Sequence, residues 1–487
     1  MISKKLGIGV GVILVGIAIL LIAFQKPSPE HNMSISGPES SQNPYLQEYS
    51  LPDNTAPNGL IVDKNGTVWV TSSKSNLLYS LDTKSELKNY EIKDNNLQFA
   101  NVNQNTTMVW TVVQDKDGII WFSPLGTKSI WRFDPANDVF HVIPSKSGSA
   151  FQMKADAENG DIWFTTLSGN TLCVIEKNST APEGYTISDF DLGNDTAPAG
   201  LYLQDNLVWV TEITTQKVVE FKIDRENGSV TGITKIKEIP EGNATQLSSP
   251  TDLFVDGNTI WLTEHGTSFL TKYDMENNEI IRYPTSQNEY HATTLPFWIR
   301  AINDGKDLWF NEHEGNKLAL FDTVNKTMTE YDIPSRPKDG YLTYPLNIAT
   351  SPVDNMILWF AEWNTDKLGR IDGHVQVPFS ISADRDQVTL NPDASKAVVV
   401  NLKINGTSPY NKNLVILNAS SSMVPSAGFG NVDASISPDT LDLSSNHQAQ
   451  LMLRDYSAQP GNYTLGVSAS DGIVTKTIFL NLTVPKG

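Results

Sequence analysis

Seven of the eleven tryptophans recur at a long and nearly constant spacing, and no other feature limits the fold of this chain so sharply. They are Trp69, Trp121, Trp163, Trp209, Trp261, Trp309 and Trp359, separated by 52, 42, 46, 52, 48 and 50 residues. A period in that range is the length of one four-stranded propeller blade. The same wording returns around each Trp. An apolar run such as LIVD (60–63) or LFVD (253–256) leads into a Gly- or Asn-containing turn, then into the Trp strand: VWVT, IWFS, IWFT, VWVT, IWLT, LWFN, LWFA. A third run follows, as in KLALFD and KLGRID, and then a fourth, as in FHVIP, IIRYP and MTEYDIP. Alternation at period two between turn residues marks four antiparallel strands per unit. Such sheets, repeated radially, bury face on face and leave no long open edges. The seventh unit has no obvious fourth strand, while residues 45–52 (YLQEYSLP) read like one. That amino-terminal strand is expected to complete blade seven and close the ring.

After Asp372 the Trp repeat stops, and residues 375–487 read as about eight short strands, the pattern of an immunoglobulin-like β-sandwich. The expected fold is all-β: a seven-bladed β-propeller over 45–372, followed by an immunoglobulin-like β-sandwich over 373–487. One N-terminal transmembrane helix is expected as well. Residues 6–24 are uncharged and almost wholly apolar, and at about 1.5 Å per residue they reach roughly 28 Å, close to the thickness of a bilayer core. Lys4 and Lys5 precede the run, which puts residues 1–5 in the cytoplasm as a short tail and everything beyond the span outside. The expectation is a single-pass protein of the cell membrane, with residues 25–44 as a linker. A cleaved signal peptide is the rival reading, and FQKPSPE offers it no small-x-small cleavage site. Twelve Asn-x-Ser/Thr sequons, from Asn32 to Asn481, fit an extracellular glycoprotein. The net charge of −19 repels phosphate backbones and argues against nucleic acid as a partner. The single cysteine, Cys173, lies in an apolar strand, where it reads as buried and inert.

Units of the form P-x-x-I…DG-x-L-W-F-x-E…N-K-I-G-R-I-D…x-E-Y-x-I-P resemble the streptogramin B lyase (virginiamycin B lyase) family. LWFNEHEGNKLALFD…TEYDIP (308–334) and LWFAEWNTDKLGRID (358–372) match best. The resemblance covers roughly residues 45–372 and implies a seven-bladed propeller. It also implies a metal-assisted elimination that opens an ester-linked cyclic antibiotic, with Mg²⁺ polarising the ester and a histidine removing a proton. The family's catalytic histidines follow the proline that opens the innermost strand of the last two blades. Those places hold Phe297 after Pro296 and Leu346 after Pro345, and neither can accept a proton. Asn58, Ala199 and Thr251 follow the other inner prolines. For the family's metal carboxylate the nearest match is Glu362, and Tyr344 stands where a second carboxylate is expected.

A different constellation remains. Three residues past the repeat Trp stand Glu212, Glu264, Glu312 and Glu362, in four consecutive blades. The ends of second strands and the starts of first strands share one propeller face, so four carboxylates could border the channel mouth and hold Mg or Ca. His265, His291, His313, Arg300 and Trp363 are the neighbouring candidates for a ligand. The competing reading makes Trp-x-x-Glu part of the repeat wording, with Lys217, Lys317 and Lys367 pairing locally five residues on. The histidines would then be solvated loop residues, and Phe297, Trp298, Tyr344 and Trp363 packing between blades. Two functions stay open on this evidence. One is a cell-surface binding or scaffold protein with a small-molecule, peptide or glycan ligand at the propeller face. The other is a divalent-cation-dependent lyase or lactonase-like enzyme.

Overall fold

The computed structural model describes residues 32–34, 43–82, 84, 86–92, 108–181, 183–242, 246–286, 291, 293–337, 342–423 and 432–486. The apolar run 6–24, expected to span a membrane, lies outside them. Among the described residues every regular element is a strand, and no helix is long and apolar enough to cross a membrane.

Seven sheets repeat one plan. In blade six the strands Pro296–Ile302, Asp307–Glu312, Lys317–Asp322 and Thr327–Asp332 run antiparallel from the inside outwards. The inner strands of successive blades touch in a closed circle, the seventh against the first. The Trp strands are buried at nearly every position, as in Ile120–Pro124 and Ile162–Thr166, because both faces of a blade press on neighbours. Fourth strands such as Tyr185–Asp191 are half-open and polar. In the Trp strands the residue two past Trp is often Thr or Asn, and it ties one blade to the next. Thr165 donates to the Ala199 carbonyl at 2.5 Å, Thr211 to Thr251 at 3.1 Å, Thr263 to Phe297 at 2.5 Å and Asn311 to Pro345 at 2.5 Å. The repeat Trp itself packs between blades. In blades one and two its indole N–H reaches the Asp of the preceding turn, Trp69 to Asp63 at 3.1 Å and Trp121 to Asp115 at 2.8 Å.

Blade seven is closed from the amino terminus. Leu46–Ser50 pairs antiparallel with Lys367–Asp372 as the fourth strand. Blade one gains a fifth strand, Asn32–Ser34, on its outer edge.

The carboxy-terminal residues form two sheets packed over one apolar core. One contains Phe379–Ala383, Val398–Gly406, Gln448–Asp455 and Val432–Ser437. The other is continuous with blade six: Thr327–Asp332 pairs with Val474–Val484, making a single sheet of nine strands. The sequence treats the sandwich as a separate unit after the ring, whereas the backbone joins the two. Without this pairing blade six would end in an edge of unpaired N–H and C=O groups, and Val474–Val484 covers that edge.

Candidate functional site

The inner strands carry the features that build the channel. In six blades the pairing of first and second strand slips just past the strand's start: between Pro57 and Leu60, Val109 and Val112, Pro198 and Leu201, Pro250 and Leu253, Pro296 and Ile299, and Pro345 and Asn347. A bulge of this kind re-aims the residues it contains. In the last two blades the bulges contain Phe297 and Leu346, the post-proline positions at which the family resemblance places histidines.

In this chain the turned residues include large apolar ones. The Phe151 ring lies 5.2 Å from Trp110 and 5.5 Å from Trp298, and the Phe297 ring lies 5.8 Å from Trp110 and 4.7 Å from Trp298. Four rings from blades two, three and six thus form one aromatic cluster at the proline end of the inner strands. Phe151, Phe297 and Trp298 are buried, and Trp110, Leu167 and Ile213 pack on the same core. Beneath it runs a polar layer. Gln152 donates to Asp252 at 2.7 Å, spanning from blade three to blade five past Gly200. A Cβ on Gly200 would stand 2.4 Å from the Thr251 carbonyl oxygen, so glycine is required there.

Two predicted ligand residues reach the aromatic cluster. The His265 ring lies 4.7 Å from Phe297 and 4.7 Å from His313, and His313 lies 5.6 Å from Phe297 and 5.9 Å from Tyr344. The expectation of solvated loop histidines is corrected here. Burial pushes His265 down to about 4 and His313 to about 3, the latter helped by His265 and His291. The Nδ1 atom of each is buried without a hydrogen-bond partner. A general base works best with a pKa near the operating pH, and these imidazoles are poor candidates for the task. His291 sits 3.5 Å from the Glu314 carboxylate. Trp363 stands apart, at the junction of blades seven and one, with Lys74 over its ring at 5.9 Å.

The four glutamates do not meet. Among the described residues no three of His, Cys, Asp and Glu lie close enough to share a metal ion. Each glutamate turns into its own blade, and the cross-strand register shows why. Glu212, Glu312 and Glu362 face Lys217, Lys317 and Lys367 directly. Each lysine then reaches a second carboxylate on the fourth strand. Lys217 pairs with Glu238, Lys317 lies 3.9 Å from Glu330, and Lys367 lies 3.1 Å from Glu48. Blade five reverses the sign of the last member. Phe269 replaces the lysine, and Arg282 on the fourth strand grips Glu264 at 2.7 and 3.1 Å.

The Glu–Lys–Glu arrangement leaves an excess of buried negative charge. Burial, with Glu330 beside it, raises Glu312 well above the usual carboxylate range. Burial, with Glu48 beside it, does the same to Glu362. Asp332 is pushed up to about 6 by burial and by Glu330, against the pull of Lys317. Burial opposes the Lys317 ammonium too, yet Glu330, Asp332 and Glu312 together hold its pKa above the ordinary lysine value. Cys173 is fully buried against Asp189 and Thr171, and its thiol is raised by burial, which keeps it a thiol rather than a nucleophile.

Several residues that build this face escape a reading of the sequence. Trp110 lies outside the repeat, on an inner strand that lacks the opening proline. Glu48 and Glu330 were legible in principle, since the fourth-strand wording QEYSLP and TEYDIP places a glutamate four residues before the proline, whereas Glu238 in KEIP stands two before it.

A ring of seven four-stranded sheets closed by an amino-terminal strand defines the class of protein, a seven-bladed β-propeller. Solved structures agree in fold. Virginiamycin B lyase of Staphylococcus aureus superposes with a TM-score of 0.52 at 24% identity, over 67% of this chain and 98% of that one. A streptogramin B lyase structure gives 0.52 at 23% identity, over 67% and 96%. A catalytically inactive virginiamycin B lyase of S. aureus with quinupristin gives 0.52 at 24%, over 67% and 98%. No protein-family model matches the chain, and no curated protein matches it significantly.

Proposed function

We propose that this chain is a membrane-tethered, extracytoplasmic ligand-binding propeller that shares the lyase architecture without its elimination chemistry. The observation that carries the reading is the aromatic cluster of Trp110, Phe151, Phe297 and Trp298 where the resemblance calls for a base. An apolar, ring-lined centre suits an apolar small molecule, or the side chains of a peptide or a glycan ring face. The carboxy-terminal two-sheet unit is read as an immunoglobulin-like accessory module, held rigidly to blade six by the shared sheet. Titration of the full-length protein with quinupristin, followed by tryptophan fluorescence, tests the reading. Saturable binding weakened by Trp110→Ala is expected; a signal that Trp110→Ala leaves unchanged overturns it.

A second reading has one observation in its favour. His265 and His313 bring two imidazoles against Phe297, close to the expected place of the base. Under this alternative the chain is a divalent-cation-dependent lyase or lactonase-like enzyme using Mg or Ca. The separation of Glu212, Glu264, Glu312 and Glu362, each within its own blade with no cluster able to hold a metal ion among the described residues, counts against it.

A further inference from the structure

The stretch of channel next to the aromatic cluster has a chemistry of its own. Each inner strand places one residue opposite the repeat Trp: Ile61, Val113, Lys154, Tyr202, Phe254, Arg300 and Ala349. Five of these seven line a cavity of 160 Å³, room for about five water molecules at about 30 Å³ each. Among the described residues, blades three and six contribute the cavity's only two charged groups, Lys154 and Arg300, both cationic. Blades one, two and seven contribute Ile61, Val113 and Ala349, all aliphatic. In a chain of net charge −19, an interior whose charged lining is entirely cationic is a departure that needs a reason.

The nearest anion does not satisfy both cations. Asp252 is fully buried, and its carboxylate is saturated by four donors: Gln152 at 2.7 Å, the Leu253 N–H at 2.9 Å, the Ile299 N–H at 3.0 Å and Arg300 Nη1 at 3.0 Å. Arg300 spends Nη1 on Asp252 and on its own strand's Ile299 carbonyl at 2.7 Å. Lys154 makes no hydrogen bond or ion pair with any described residue, and it is half-buried in the cavity wall. One uncompensated positive charge therefore faces the cavity, beside a guanidinium with donors to spare.

We propose that this cavity binds a short aliphatic carboxylate, its head group between Lys154 and Arg300 and its tail against Ile61, Val113 and Ala349. A monoanion matches the single excess charge. The aliphatic half of the lining favours an organic acid over inorganic phosphate, whose remaining oxygens would lose water without gaining partners. Burial lowers Lys154 to about 8, with Arg300 contributing and Asp252 opposing, and a bound carboxylate would raise it again. The cavity adjoins the aromatic cluster, with Arg300 5.9 Å from the Trp298 ring, but butyrate binding and its dependence on Lys154 are read out separately from the function proposed above.

Calorimetry of the full-length protein with butyrate tests this, with acetate and inorganic phosphate as comparators. One butyrate per chain is expected below pH 8, weakening as the pH rises through the Lys154 pKa of about 8. Lys154→Met should weaken binding about tenfold or more, and Lys154→Arg should retain it. Neither variant touches the bonds that saturate Asp252, so the fold is preserved. Arg300→Gln provides the second arm. Absence of butyrate binding, affinity unchanged in both Lys154→Met and Arg300→Gln, or tighter binding of phosphate would each overturn the proposal.

Discussion

Leu46→Ala probes the closure of the ring from its thinnest element. Leu46 is 1% exposed and pairs with Ile371 across the blade-seven seam. Truncating a buried leucine costs about 2–5 kcal/mol, depending on how far the site collapses. The whole strand contributes more. Tyr45, Leu46, Tyr49 and Leu51 are all buried, and at about 1.5–3 kcal/mol per side chain they supply about 6–12 kcal/mol, an upper bound because unfolded chains are already partly compact. Glu48 adds its bond to Ser335 at 2.7 Å and its ion pair to Lys367 at 3.1 Å. That total rivals the whole stability of a typical domain, about 5–15 kcal/mol. Deleting residues 44–51 should therefore abolish the folded ring, not merely fray one blade. The point variant allows a graded test by hydrogen exchange with mass spectrometry. If closure is cooperative, Leu46→Ala lowers protection in the blade-three strand Ile162–Thr166, far around the ring, by as much as in Ile357–Glu362 of blade seven. Loss confined to blades seven and one would refute the reasoning.

Glu312→Gln should gain on the wild type in thermal stability as pH rises. The folded-state pKa values of Glu312 and Asp332 are raised, so the stability they contribute is complete below the ordinary carboxylate pKa and is lost as pH climbs through the folded values, about 6 for Asp332. A difference in melting temperature that is flat or shrinks from pH 4 upwards would contradict this. Asp115→Ala removes the acceptor of the Trp121 indole N–H and of the Asp117 and Ile119 amides. It should cost about 3 kcal/mol by denaturant titration, and a cost near zero would show that the turn tolerates its loss. Calorimetric titration with Ca²⁺, Mg²⁺ or Mn²⁺ should give no stoichiometric binding attributable to the blade glutamates. Binding that disappears in Glu312→Gln and Glu362→Gln would reverse that conclusion.

The ring was legible because its signal is repeated. The spacing of the Trp strands, the turn residues and the spare strand at 45–52 each state the architecture several times over. The site was less legible, because it depends on which blade supplies which residue to a shared centre. Phe297 and Leu346 announced the missing base at single positions, yet Trp110 and Phe151 join the same cluster from blades whose inner strands lack the opening proline. The glutamates misled for a related reason. Their common position places them at one end of the blades, but register directs Glu212, Glu312 and Glu362 towards the lysine opposite, and that lysine towards a glutamate on the fourth strand, while Glu264 is held by Arg282. His265 and His313 looked like loop residues because sequence cannot show that their loops fold inwards over Phe297. Lys154 was hidden by the shortness of its strand, Met153–Ala155.

Chromatography of quinupristin after incubation with the full-length protein and Mg²⁺ tests the central claim most directly, that this lyase-shaped propeller binds without catalysing elimination. The account predicts recovery of unchanged quinupristin at every pH tried. Accumulation of a ring-opened product that is lost in His313→Ala would contradict it, and would make the buried histidines the catalytic base.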